Sequence, residues 1–221
     1  MTHQHTHTGH DAGASTQDPR EFWENRYREK DGIWSGRANA MLVRTVADLP
    51  PGRALDLGSG EGGDALWLAE RDWRVTGVEL SGVAIARAVA AAADRGVSAG
   101  RINFVAADLQ TWRSDEQYDL VTACFLQSPV EFAREEVLRR AASLVAPGGH
   151  LLVVAHAAAP PWSGLAGDPS VVFQTPAGDL AALALPDHWD VLICEVRTRP
   201  ATGPDGQEST LEDSVVLVRR P

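Results

Sequence analysis

Apolar positions follow a helical period at the start of the chain and a strand period from residue 53 onward. Phe22, Trp23, Arg26 and Tyr27 share one face of a helix predicted over Arg20 to Lys30. Asp18-Pro19 supplies its N-cap and a proline at the first helical position. Ile33 to Asn39 reads as a loop, and residues 38 to 48 as a second helix stopped by Pro50-Pro51-Gly52. Short apolar runs then take over. Ala54 to Leu57 is a buried strand, Gly58 to Gly63 a tight turn, and Asp64 to Arg71 a helix. Arg74 to Val78 is a strand, and Ser81 caps a helix running from 82 to about 95. Arg101 to Val105 and Tyr118 to Cys124 are the third and fourth strands. Glu131 to Val145 is a helix, and Pro147-Gly148-Gly149 turns the chain into a fifth strand, His150 to Ala155.

Strands alternating with helices predict an α/β fold with a parallel sheet and right-handed crossovers. The last third reads differently. Pro160-Pro161, Gly164 and Gly167-Asp168-Pro169 make an irregular stretch, and Thr175-Pro176 starts a short helix to about Ala184. Trp189 to Arg199 and Thr210 to Arg219 are long strands joined by Gly203-Pro204-Asp205-Gly206, an antiparallel hairpin closing the sheet. The expected organisation is a tail over 1–18 and one domain over 19–221. The tail holds His3, His5, His7 and His10 and has nothing to bury, so it is predicted to be disordered.

Charge narrows the partners. The 221 residues carry 30 acidic against 20 basic side chains, a net charge of −10. That sign speaks against general nucleic-acid binding and against docking on anionic lipid. No run approaches ~18 apolar residues, and the start lacks a signal-peptide core. Cys124 and Cys194 lie in apolar runs and are expected to be buried free thiols, which suits a cytoplasmic location. Two cysteines make neither a disulfide framework nor a zinc quartet, and no metal site is expected. Lys30 is the only lysine, so Schiff-base chemistry has one candidate residue.

The chemistry centres on the first turn. Gly58, Gly60 and Gly63 form G-x-G-x-x-G between a strand and a helix, the context in which that motif holds a nucleotide cofactor. Glu79 follows 21 residues after Gly58, at the end of the next strand, where a carboxylate can take both ribose hydroxyls of an adenosine. NAD(P) and S-adenosylmethionine both fit this much. Three features separate them. Asp56 is a carboxylate inside an apolar strand; it faces a cationic or amine-bearing ligand, or it orders the turn through backbone N–H groups. Asp108, in Ala107-Asp108-Leu109 after the third strand, can accept from an adenine amino group. The closing hairpin is unlike an all-parallel dinucleotide domain.

With these motifs in order, residues 53 to 155 resemble the class I S-adenosylmethionine-dependent methyltransferases. Leu55-Asp56-Leu57-Gly58-Ser59-Gly60-Glu61-Gly62 looks like that family's first motif. Val78-Glu79-Leu80 matches its acidic ribose position, Ala107-Asp108-Leu109 its adenine motif, and Pro147-Gly148-Gly149 the turn before its fifth strand. The resemblance implies a doubly wound, Rossmann-like, seven-stranded sheet in the order 3-2-1-4-5-7-6, with strand 7 antiparallel. Phe22-Trp23-Glu24-Asn25-Arg26-Tyr27 and Ile33-Trp34-Ser35-Gly36-Arg37 are similar to the thiopurine and tellurite-resistance branch. In that branch the N-terminal segment, here 19–50, covers the cofactor. Trp34 would then pack near its methionine part and Arg37 meet its carboxylate.

Ligands bind at the carboxyl ends of such strands, which brings Cys124 to Pro129 and His156 to Trp162 beside the methyl group. Phe125 contacts adenine or sulfonium in this reading, Gln127 orients an acceptor, and Trp162 roofs the pocket. His156 is the candidate base, because imidazole titrates near neutrality; the competing reading is a histidine bonded to a loop carbonyl. The expected activity is methyl transfer to a small thiol, chalcogen oxyanion or heteroaromatic nitrogen or oxygen, by a monomer or homodimer. An NAD(P)-dependent oxidoreductase and a non-catalytic cofactor-binding or metal-sensing module are the rivals.

Overall fold

A computed structural model describes residues 18–165, 168 and 171–221. Residues 1–17, which hold the histidine-rich tail, lie outside the described residues.

Two helices open the chain, α1 (Pro19–Arg28) and α2 (Ala40–Val46). Asp18 caps α1 by accepting from Glu21 N at 3.0 Å, and Asn39 caps α2 by accepting from Met41 N at 2.8 Å. Then follow β1 (Arg53–Leu57), α3 (Gly63–Ala69), β2 (Arg74–Glu79), α4 (Gly82–Asp94), β3 (Ile102–Ala106) and β4 (Tyr118–Cys124). The chain continues with α5 (Arg134–Ser143), β5 (Val145–His156), α6 (Pro176–Ala182), β6 (Asp190–Thr202) and β7 (Glu208–Arg219). The strands form one seven-stranded sheet in the order β3-β2-β1-β4-β5-β7-β6. Neighbours from β3 through β5 pair in parallel, and β7 runs antiparallel to both β5 and β6.

Alternation along the strands sorts side chains to two apolar layers. Ala54, Leu120, Leu152, Val154, Val215 and Leu217 pack with Met41 and Leu42 of α2 and Leu66 and Leu68 of α3. Leu55, Leu57, Val121, Leu151, Val153 and Val216 pack on the opposite face with Val137 and Leu138 of α5 and Leu183 after α6. The polar residues Asp56, Glu79, Thr122 and His156 lie toward the carboxyl ends of β1, β2, β4 and β5.

Three expectations need correcting. Pro147-Gly148-Gly149 is not a turn ahead of the fifth strand; it bulges within β5. Tyr118 pairs with Val145 and Leu120 already with His150, so residues 146–149 are looped out of the ladder. Gly148 N donates to Arg220 O at 2.8 Å and Arg220 N to Gly149 O at 2.9 Å, so the chain end absorbs the freed backbone groups. Cys194 is exposed, because its apolar run forms the outer edge strand β6, which has sheet on one side only. The predicted helix over Glu131 to Val145 is shorter, beginning at Arg134 and ending at Ser143. Among the described residues no helix is long and apolar enough to cross a membrane.

Candidate active site

The turn after β1 is tied down by its own amides. Gly58 N and Ser59 N both donate to Val78 O, at 2.8 and 3.1 Å. Gly60 N donates to Glu79 Oε2 at 3.1 Å, and Gly62 N to Ser59 O at 2.9 Å. Gly62 sits at φ +85°, where a Cβ would lie 2.9 Å from Phe104 Cζ, so only glycine lets α3 start this close to β3. Glu79 is buried at the end of β2. Its second oxygen accepts from Ser81 N at 2.9 Å, and burial raises its pKa. The carbonyl of Leu80 accepts from the Arg20 guanidinium at 2.9 Å.

Behind the turn lies a cluster of acids without a counter-ion. Asp56 is 3% exposed, and Thr122 Oγ1 donates to its Oδ1 at 2.8 Å. Asp64, in the first turn of α3, accepts from Asn39 N at 2.6 Å and from the Cys124 thiol. Neither carboxylate makes an ion pair among the described residues. Burial, and next the charge of Asp64, push Asp56 up to about 8. Burial likewise raises Asp64, and burial followed by these two carboxylates holds the Cys124 thiol well up. The Ser59 hydroxyl, in the turn itself, is buried with no hydrogen-bond partner among the described residues.

The segment between α1 and α2 crosses the turn. Glu61 accepts from Ile33 N and Trp34 N, both at 3.1 Å, and pairs with Arg87 at 2.8 Å. Trp34 Nε1 donates to the buried Tyr27 hydroxyl at 3.2 Å, and a Cβ on Gly60 would meet both groups. Trp34 remains 54% exposed. Arg37 packs its carbonyl against Gly63 and extends an exposed side chain with no ion pair among the described residues. Glu24 fastens α1 to the start of α4, accepting from Gly82 N at 2.8 Å and Ser81 Oγ at 3.2 Å.

After β3, Ala107 N donates to Glu79 O at 2.8 Å, which holds this loop beside the end of β2. Asp108 accepts from Gln110 N at 2.8 Å and keeps its carboxylate partly exposed. Leu109 turns the other way. Its side chain joins the core under α5, and its carbonyl accepts from Arg140 at 2.6 Å.

On the far side, β4 is followed directly by Phe125, a non-glycine residue at φ +52°. Its N–H donates to Val154 O at 2.7 Å, and its ring stacks on His156 with centroids 4.3 Å apart. Gln127 N donates to Phe125 O at 2.8 Å, leaving the amide side chain without a hydrogen bond among the described residues. His156 closes β5 directly opposite Asp213 of β7, with Nδ1 3.4 Å from Asp213 Oδ1. Arg199 Nε donates to Asp213 Oδ2 at 2.6 Å, and its guanidinium lies 5.7 Å from the Phe125 ring centre. Among the described residues no loop carbonyl accepts a hydrogen bond from His156. Trp162 is half-buried in the loop after β5.

The fold thus gathers Trp34, Asp56, Gly58, Ser59, Gly60, Glu79, Ala107 and Asp108 at one end of the sheet, with Phe125, Gln127 and His156 around the same edge. It takes Leu109 away. Asp64, Glu61, Arg199 and Asp213 are additions. Asp64 reads in sequence as an ordinary first-turn acid. Asp213 and Arg199 meet His156 only through a strand pairing that the sequence does not specify.

A family described as a methyltransferase domain matches residues 54–149. Thiopurine S-methyltransferase of Vibrio cholerae serotype O1 is 31% identical over 158 residues, covering 62% of this chain and 70% of that protein. Thiocyanate methyltransferase 1 of Arabidopsis thaliana is 35% identical over 102 residues, 45% of this chain and 44% of that protein. Trans-aconitate 2-methyltransferase of Streptomyces avermitilis is 39% identical over 92 residues, 39% of this chain and 34% of its own length. The chain spans 34% to 60% of the length of the first three curated relatives it matches. Among solved structures, N-methyltransferase NodS from Bradyrhizobium japonicum superimposes with a TM-score of 0.65 at 18% identity, covering 92% of this chain and 100% of that one. TehB from Haemophilus influenzae superimposes at 0.63 and 17% identity, covering 91% and 67%. Fold, motif order and these relatives agree, and the chain belongs to the class I S-adenosylmethionine-dependent methyltransferases.

Proposed function

We propose that this chain holds S-adenosylmethionine at the carboxyl ends of β1, β2 and β3 and transfers its methyl group to a small soft acceptor, a thiol or related chalcogen nucleophile. One observation carries the choice of cofactor. The amides of Gly58, Ser59, Gly60 and Gly62 are all spent inside the protein, and buried carboxylates stand behind them. A dinucleotide pyrophosphate needs free amides and no negative charge. A cation carrying a sulfonium and an ammonium group suits the reverse. The unpartnered Ser59 hydroxyl and the uncompensated pair Asp56 and Asp64 are the features such a ligand would satisfy.

In this reading Glu79 and Asp108 serve the ribose and adenine, Leu80 and Ala107 line the adenosine, and Arg37 grips the carboxylate. The bound group supplies an activated methyl on a sulfonium. The chain supplies alignment and dryness, which account for most of the acceleration of an in-line displacement. Trp34 and Tyr27 cover the turn against water. Phe125 presents a π-face to positive charge. Gln127 orients the acceptor and His156 takes its proton. The acceptor class draws on relatives named for thiopurine, thiocyanate and thiol methylation.

An acceptor panel tests the proposal. Release of S-adenosylhomocysteine is expected with thiols and chalcogen anions, at rates well above those for amines and carboxylic acids. Tight cofactor binding with no transfer to any acceptor would favour the non-catalytic module.

A further inference from the structure

The far side of the site holds two buried polar atoms with no hydrogen bond among the described residues, Nδ1 of His156 and Oδ1 of Asp213. Such atoms are costly unless each serves the other. They face each other at 3.4 Å across the β5–β7 pairing, one step of tightening from a hydrogen bond. We propose that His156, Asp213 and Arg199 form a proton-accepting unit, and that it matches the site to acceptors whose nucleophilic atom still carries a proton at neutral pH, a neutral thiol above all. This rests on the methyl-transfer reading above.

The geometry assigns the parts. Asp213 has a fully buried side chain and already receives Arg199 Nε at 2.6 Å, so its charge is balanced and its second oxygen is left to His156. That oxygen can only accept. It therefore selects the imidazole tautomer with its proton on Nδ1 and leaves Nε2 as the acceptor. The His156 side chain is 35% exposed while Nδ1 is buried, so the open edge of the ring is the one bearing Nε2. The stack on Phe125 at 4.3 Å fixes the plane of the ring. Asp213 is thus a positioning residue and His156 the group that touches the acceptor.

The step balances. The thiol proton passes to Nε2, the sulfur pair forms the new S–CH3 bond, and the old methyl–sulfonium bond breaks with its pair kept by the departing sulfur. The proton then leaves His156 for solvent. An acceptor that arrives as an anion needs none of this.

The test compares benzyl mercaptan, protonated at pH 7.5, with pentafluorothiophenol, ionised there. Asp213→Asn keeps an oxygen for Arg199 but turns an amide N–H toward Nδ1, which enforces the wrong tautomer. The ratio of kcat/KM for the protonated over the ionised thiol is expected to fall about 100-fold. His156→Gln should lower the same ratio as far, and the double variant no further. An unchanged ratio in Asp213→Asn, with the S-adenosylhomocysteine thermal shift intact, overturns the unit while leaving the methyltransferase reading standing. A His156→Gln variant that keeps the wild-type ratio overturns it equally. If wild type methylates neither thiol and shows no shift with S-adenosylhomocysteine, the underlying reading fails instead.

Discussion

Asp56→Asn is expected to give a protein that is more stable without ligand and at least 100-fold weaker in binding S-adenosylmethionine. Asp56 is a buried carboxylate with one hydrogen bond, from Thr122, and a second acid facing it. Its folded pKa, raised to about 8, exceeds the value of about 4 in an unfolded chain. A raised folded value means its contribution is fully present below pH ~4 and is lost as pH climbs through ~8. The wild-type apo-protein should therefore weaken between pH 5 and pH 9, by an amount on the order of a few kcal/mol. Asn cannot ionise and fits the same space, so this loss should shrink in the variant. A bound cation reverses the sign. It favours the charged carboxylate, and losing that charge-assisted contact costs roughly 3 kcal/mol, or about 100-fold. Urea unfolding at the two pH values and titration calorimetry read both effects. Equal apo-stability at pH 9, or unchanged affinity, would remove Asp56 from the role given to it.

Arg134→Met is expected to cost about 3–5 kcal/mol, the penalty of leaving a buried charge alone. Arg134 Nη1 reaches Asp179 at 2.7 Å, and Asp179 has no exposed side-chain surface. Ser214 also donates to that carboxylate, at 2.9 Å, so β7 is tied to α6 and α5 through it. Arg134 Nε further holds the carbonyl of Leu126 at 2.9 Å, which steadies the loop bearing Phe125 and Gln127. At ~2–4 °C per kcal/mol, Tm should fall on the order of 10 °C. Removing both charges in Arg134→Met/Asp179→Leu should recover most of the loss, because the apolar pair strands no ion. A single variant as stable as wild type would show the pair to be dispensable.

Both predictions turn on acids that behave unlike their sequence neighbours. Asp56 was legible, since a carboxylate inside Ala-Leu-Asp-Leu breaks an apolar strand at a known distance from a glycine turn. Glu79 was legible from its place at a strand end 21 residues after Gly58, and the parallel pairing of β1 to β5 followed from strands alternating with helices, while the strand order came from the family resemblance. Asp64, Asp179 and Asp213 were not. Each stands among ordinary helix-start or strand residues, and what sets it apart is partners 14 to 57 residues away in the chain. Asp213 meets His156 because β5 and β7 pair in one register, and Arg199 reaches them because β6 shifts register between Val191 and Ile193. Pairing of that kind depends on bulges and turn length rather than on hydrophobic period. Cys194 failed in a related way. An apolar run predicts a strand, yet only strand order says whether that strand lies inside the sheet or at its edge. Pro147-Gly148-Gly149 read as a break, where the chain end instead supplies hydrogen bonds that let the strand continue around it.

The turn after β1 has its amides spent within the protein and an acidic rear wall, which suits an adenosyl ligand that carries an ammonium group and no pyrophosphate. Calorimetric titration of the wild-type protein with S-adenosylhomocysteine and, separately, with NADH tests that claim most directly. Saturable one-to-one binding of S-adenosylhomocysteine with no heat from NADH is the predicted result. Binding of NADH in preference to S-adenosylhomocysteine would contradict it.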